Sequence, residues 1–315
     1  HHPQSTPLES TALCWTEMAF GAMASWWAWA FLAGGCAARA TGPPPPNPFG
    51  LAAFWRFQAT TTDARGRVLY LDDVHGYALG PDNASWPPAR VGDGVFGQSV
   101  EFEKGQRLWA ARASVPALAD IAGPSATVSV VAWVKLTRPL DGGSIVGGLW
   151  EEDSAARQYA IFMDHTGNCP AANGVVAHIS AEGGPSPGQP YCESRACGST
   201  NLSTGAWHCL ANVYNGTHIL AYVNGTLDNT ADPARVADNP FAYPDPPRFP
   251  NGGIFKPPAG SGANLTLGAN MVKHTDWPVK RLADTFFGRI GGFAVKGTAM
   301  TPSEIAALCV SASAA

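Results

Sequence analysis

The chain is 315 residues long with a formal charge of −4 and 45 % hydrophobic residues, so it can bury a sizeable core and offers no basic footprint for nucleic acid. Charged residues make up only 14 %, against roughly 25 % in an average globular domain. Glycine (35) and proline (27) are abundant, which excludes a helical bundle and favours a turn-rich β protein.

Residues 1–40 read as a leader. The stretch 18–32, "MAFGAMASWWAWAFL", is apolar but short for a spanning helix, and Ala38-Arg39-Ala40 fits a small-x-small cleavage site. A secreted, extracellular protein is the expectation. The alternative is a lipid-anchored one, held at Cys36 after "LAGG". Membrane contact is expected only through this leader or that anchor. Residues 41–50 contain "GPPPPNP", a polyproline II linker. No later break or fixed-period repeat occurs, so 51–315 is expected to be one domain.

Within it, short apolar runs alternate with turn residues. Strands are expected at 51–57, 98–102, 107–110, 127–136, 144–150, 158–163, 175–180, 207–214, 218–223, 265–268 and 287–295. The run 127–136, "TVSVVAWVKL", has the composition of a central strand. Asn215-Gly216 and Asn224-Gly225 are both expected to form type I′ hairpin turns, because asparagine and glycine tolerate positive φ. One helix is expected, at 302–308, with Thr301 as N-cap, Pro302 at the first helical position and Glu304 closing a capping box. The fold class is therefore all-β: a sandwich of two antiparallel sheets with one short C-terminal helix.

Five Asn-x-Ser/Thr sequons occur, at Asn83, Asn201, Asn215, Asn224 and Asn264. Beyond the leader the cysteines are Cys169, Cys192, Cys197, Cys209 and Cys309, an odd number that leaves at least one free thiol. Cys192 and Cys197 are the easiest pair to close, with Cys169 as an alternative partner for either. Cys209 reads as a small buried hydrophobe in a strand.

The ordered segments "LAAFWRF", "LDDVHGYAL", "FGQSVEFE", "VSVVAWVKL", "GAWHCLANVYNGTHILAYVNGT" and "FFGRIGGFAVKGTAMTPSEIAAL" resemble the laminin-G-like, concanavalin A-like lectin/glucanase superfamily, over nearly all of 51–308. The resemblance implies a jelly-roll sandwich. It also implies that Trp207 and His208 are packing residues at the mouth of a hairpin running through Tyr214, Asn215, Gly216, Tyr222, Asn224 and Gly225. Many relatives hold a structural Ca2+, which would make Asp72 and Asp73 metal candidates. Asp72 is equally well explained as a turn former, and the last strand carries Gly291-Gly292 where relatives show acidic residues. The Glu-x-Asp-x-x-Glu strand motif of the retaining glucanases is absent.

The densest mixture of aromatic and carboxylate groups is Trp150, Glu151, Glu152 and Asp153, followed by Arg157 and Tyr159. His178 stands before a long loop that ends near Gly205. Aromatic faces stack on sugar rings and carboxylates accept from sugar hydroxyls, so these seven residues are the candidate ligand site. A glycan or glycoprotein is the expected partner of a non-catalytic binding module. Two other functions stay open: a glycan-cleaving enzyme using Glu151, Glu152 or Asp153 as acid and nucleophile, and a structural or adhesive surface domain.

Overall fold

The computed structural model describes residues 47–152, 156–165, 168–189, 191–229, 239–244, 251–272 and 281–311. The leader, most of the linker and Asp153 lie outside the described residues. Within them, two sheets of nine strands each carry the architecture. The first runs, in spatial order, Thr226–Leu227, His218–Val223, Trp207–Tyr214, Val128–Leu136, Gly288–Lys296, Ser99–Phe102 and Ala89–Val91. Ala53–Trp55 pairs on Gly288–Lys296, and Phe241–Ala242 on His218–Val223. The second sheet runs Arg195–Cys197, Val175–Ile179, Tyr159–Met163, Ser144–Leu149, Leu265–Leu267, Leu108–Ala110, Ala78–Pro81, Val68–Leu71 and Thr60–Thr62. The pairings in both are antiparallel, as the all-β reading requires. The short strand Asn270–Val272 pairs separately with Arg281–Ala283.

Val128–Leu136 is central, as its composition indicates, flanked by Trp207–Tyr214 and Gly288–Lys296. Alternation sends Val128, Val130, Ala132, Val134 and Leu136 into the core between the sheets. Val131 and Trp133 go to the outer face, where Ile305, Leu308 and Cys309 of the C-terminal helix cover them. Both faces of this strand are thus buried, which is why its sequence is a continuous apolar run rather than an alternating one. Asn212 crosses the core instead of filling it: its Nδ2 donates to the Ala160 and His178 carbonyls of the opposite sheet, at 3.0 and 2.9 Å.

Of the two Asn-Gly turns, one has the expected geometry. Val223 pairs with Thr226 across Asn224 (φ 50°) and Gly225 (φ 83°), the two positive φ values of a type I′ turn. A Cβ on Gly225 would stand 2.9 Å from the Ala306 backbone, so the glycine also lets the helix pack on the turn. The Asn215-Gly216 connection differs. Tyr214 pairs with Ile219, which makes the loop longer, and only Gly216 has positive φ (94°). Asn215 turns the chain through its side chain, whose Oδ1 accepts from the Thr217 and His218 amides.

Trp207 packs on the outer face of the first sheet, with the Lys135 ammonium 5.9 Å from its ring centre. Gly291 and Gly292 make room for aromatics. Added Cβ atoms would sit 2.9 Å from Trp207 and 2.8 Å from Phe96 and Trp133. The C-terminal helix spans Pro302–Ser311, and a four-residue helix at Pro116–Ala119, begun by its proline, adds to the one helix expected. The capping box of the C-terminal helix forms: Thr301 Oγ1 accepts from Glu304 N (3.2 Å) and Glu304 Oε2 accepts from Thr301 N (2.8 Å).

The disulfides are Cys169–Cys197 and Cys209–Cys309, with Cα separations of 5.4 and 5.7 Å, and they mark a domain that folds in an oxidising, extracellular-type environment. This corrects the expectation for Cys192 with Cys197. Arg195–Cys197 runs extended and carries Cys197 away from Cys192 to the sheet edge beside Cys169, leaving Cys192 a free, buried thiol. Cys209 is likewise not a plain hydrophobe but the strand anchor of the helix. No helix among the described residues is long and apolar enough to cross a membrane.

Candidate functional site

Three neighbouring strands of the second sheet, Ser144–Leu149, Tyr159–Met163 and Val175–Ile179, bring most of the sequence-predicted residues to one region. Alternation divides them by face. Ala160, Phe162, Val176 and Trp150 form an apolar cluster on the outer face, together with Ile145, Cys169, Cys192 and Cys197. Tyr159 points the other way, into the core, and its hydroxyl donates to the Leu118 carbonyl at 3.0 Å. The structure therefore separates Tyr159 from the remaining candidates. The sequence interval to Trp150 was correct, but the period of two puts the phenol on the opposite face.

The Trp150 ring is only 1 % exposed. It meets Phe162 and His178 edge-on at 5.7 and 5.3 Å, and His165 stands 5.0 Å from His178. Its indole N–H donates to Glu152 Oε1, while Glu152 Oε2 pairs with Arg157 Nη2 at 2.6 Å. The Arg157 amide donates to Gly183 O (2.9 Å) in the loop after Val175–Ile179. A side chain at Gly183 (φ 72°) would collide with the Phe255 ring, so the loop's turn requires glycine. Glu151 is half-buried. An aromatic that stacks on sugar needs an open face, and Trp150 has none; here it anchors the loop through Glu152 and Arg157.

This region is nevertheless electrostatically unusual. Burial, reinforced by the Glu152 charge, pushes the Asp284 carboxyl up to about 6, and Asn270 Nδ2 lies 3.3 Å from its Oδ2. Burial, then the Arg195 charge, pulls His165 down to about 4. His178 is held well below its ordinary value by burial first, then by His165 and the two arginines, and neither of its ring nitrogens has a hydrogen-bond partner. Asp284 and His165 were not singled out from sequence, since nothing near either in the chain signals burial.

Asp72 and Asp73 have other work than a cation. Asp72 is 3 % exposed and its Oδ1 accepts from the Val74 and His75 amides, at 2.8 and 3.1 Å, while Oδ2 accepts from Tyr77 N. Asp73 pairs with Arg56 at 2.7 Å. A calcium ion needs six to eight oxygens free to coordinate, and three of these four are already engaged by N–H donors. Among the described residues no group of three or more His, Cys, Asp or Glu could hold a metal ion. The donor set does not fit calcium.

An open groove of about 680 Å³ lies between residues 111–122 and 256–264. The antiparallel contact of Gly123 with Ile254, bonded at 2.7 and 3.0 Å, braces its two walls. Asp120, Lys256 and Ser261 are exposed in it, beside Pro257. Arg112 supports the floor: its amide donates to Asn264 Oδ1 (3.0 Å) and Nη2 to Ala119 O (2.7 Å). Neither segment, "RASVPALAD" or "KPPAGSGANL", has a ligand-binding motif; the groove exists because two loops distant in sequence meet.

A comparison with curated protein sequences gives no match. Among solved structures, the chain is similar to domain 4 of AbnA, an extracellular arabinanase of Geobacillus stearothermophilus determined with arabinotriose. The identity is 16 %, 82 % of this chain and 98 % of that one are covered, and the TM-score is 0.48. It is also similar in fold to Trypanosoma rangeli sialidase in complex with 2,3-difluoro-KDN, at 13 % identity, with 89 % of this chain covered and a TM-score of 0.51. The match spans 37 % of the sialidase chain, so it concerns one part of that protein. Residues 110–245 match the family model described as the concanavalin A-like lectin/glucanases superfamily. That match places residues 110–245, which contribute strands to both antiparallel sheets, in the concanavalin A-like superfamily.

Proposed function

We propose that this chain is a secreted or surface-held module that binds a glycan or glycoprotein without cleaving it. The observation that carries this reading is the braced groove, an open concavity with cationic, anionic and hydroxyl groups converging on it, on a fold whose rigid sheets commonly present ligands at their loops. Hydroxyl-rich ligands suit paired donors and acceptors of this kind. A glycan array of the disulfide-bonded protein, followed by titration of the best ligand, tests it. Lys256→Ala with Asp120→Ala should weaken binding at least tenfold while the circular dichroism spectrum is unchanged. No binding across the array would favour a structural or adhesive surface domain instead.

Glycan cleavage is the second reading, and one observation favours it: Asp284, a carboxyl that holds its proton up to about pH 6, lies within electrostatic reach of Glu152. A proton-holding acid next to a carboxylate is the pairing glycoside cleavage uses. Against it, both Glu152 oxygens are engaged by Trp150 and Arg157. Reducing-sugar release from a polysaccharide panel, lost in Asp284→Asn and Glu152→Gln, would establish cleavage and displace the binding reading.

A further inference from the structure

We infer that Asn83, Asn201, Asn215 and Asn224 are N-glycosylation sites whose glycans the folded domain accommodates without rearrangement. Each lies in an Asn-x-Ser/Thr sequon. The sequon alone is weak, since Asn-Gly-Thr is also plain turn chemistry. The structure adds what the two halves of each carboxamide do. Every one of the four uses Oδ1 as an acceptor from a backbone N–H: Asn83 from Ser85 (2.9 Å), Asn201 from Ala172 (2.8 Å), Asn215 from His218 (2.8 Å) and Asn224 from Cys209 (2.9 Å). None donates Nδ2 to another described residue. Four asparagines outside sequons, Asn47, Asn173, Asn212 and Asn239, instead donate Nδ2 to a main-chain carbonyl, three of them while also accepting at Oδ1.

The division has a chemical meaning. Glycan transfer forms a bond from Nδ2 to the anomeric carbon of an oligosaccharide and breaks that carbon's bond to the lipid pyrophosphate carrying it. The amide gives up one proton, and lipid pyrophosphate leaves. The product keeps a carbonyl Oδ1, so the turn bond survives, while Nδ2 must face solvent to carry the sugar. All four asparagines are exposed, and so are the hydroxyl residues Ser85, Ser203, Thr217 and Thr226. Two disulfides fit an oxidising compartment, of which the lumen where this transfer takes place is one.

The fifth sequon is different. Asn264 is half-buried in the groove, and the Thr266 hydroxyl is buried and donates to Ala269 O. A glycan there would fill the groove, so the inference is confined to four sites. Asn215 and Asn224 stand at the two ends of His218–Val223, whose outer edge pairs, among the described residues, with two two-residue strands. Glycans at both ends would guard that edge against pairing with another chain.

The test is the full chain secreted from a eukaryotic cell line behind an N-terminal signal. Peptides are released with N-glycosidase in heavy-oxygen water and mapped by mass. Heavy-oxygen aspartate at three or four of the four positions is the expected result; at two or fewer the inference is overturned. Thr226→Val and Ser85→Ala remove a sequon while leaving the asparagine and its Oδ1 bond in place. At least one should lower the intact mass by one glycan with secreted yield maintained, and an unchanged mass in both variants would likewise overturn it.

Discussion

Trp150 illustrates how far a residue type predicts a role. An indole beside carboxylates suggests a sugar platform, but this one is enclosed by Phe162, His178 and the loop its own partners hold. Its replacement should therefore act on stability before binding. Trp150→Ala removes a fully buried aromatic and is expected to lose about 3–5 kcal/mol, read from the urea midpoint at unchanged m-value. The same neighbourhood predicts an acid response. His165 and His178 are neutral in the folded state at pH values where the unfolded chain protonates them, because burial lowers both. The unfolded state then binds more protons, so stability falls as pH drops below about 6.5, by up to about 1.4 kcal/mol per pH unit for each histidine. For His165 the loss ends near pH 4. Asp284 works in the opposite direction: with its folded value near 6, the folded state takes up a proton first and gains stability as pH falls from 6 to its unfolded value of 3.8. Asp284→Asn should thus raise stability at pH 7 and steepen the acid loss, a difference seen in melts at pH 7, 6 and 5. Equal slopes in the two proteins would contradict this.

At the scale of elements, the local signals were the most legible. The capping box at Thr301 and Glu304, the turn at Asn224-Gly225 and the limits of Trp207–Tyr214 and His218–Val223 all depend on interactions within a few residues, and they appear as read. The Lys296 ammonium, followed by the Thr301 amide, holds the Glu304 carboxyl down to about 2, so the cap persists to low pH. Thr301→Ala should cost about 1 kcal/mol, measured by thermal melting, with no effect on glycan binding. Among the strands missed, Thr60–Thr62, Ala89–Val91 and Arg195–Cys197 form because a neighbour supplies their hydrogen bonds, not because their residues alternate, and the apolar Val68–Leu71 with its partner Ala78–Pro81 was missed as well. Missing Arg195–Cys197 also left open whether Cys192 or Cys169 partners Cys197, since only the strand pairing of Val176 with Cys197 shows where that thiol goes.

For the whole molecule, the two disulfides close loops of different reach. Cys169–Cys197 spans 28 residues and Cys209–Cys309 spans 100. The loop-entropy model gives roughly 3 kcal/mol for a 15-residue loop and 4.7 for a 100-residue one, so Cys209→Ser with Cys309→Ser should lower stability more than the equivalent change at Cys169 and Cys197. Urea unfolding of both double variants checks the order. Because one apolar core touches both sheets, tryptophan fluorescence and circular dichroism should report a single coincident transition. From its own composition, the sequence determined the all-β fold class, the central strand and the C-terminal helix with its cap, because hydrophobic periodicity and turn residues are properties of neighbours along the chain. Only the tertiary structure decided the cysteine pairing, the inward turn of Tyr159, the enclosure of Trp150, the commitment of Asp72 and Asp73 to N–H donors and the groove between 111–122 and 256–264. Each of these depends on which segments, far apart in sequence, meet across the sandwich, and local patterning does not encode that.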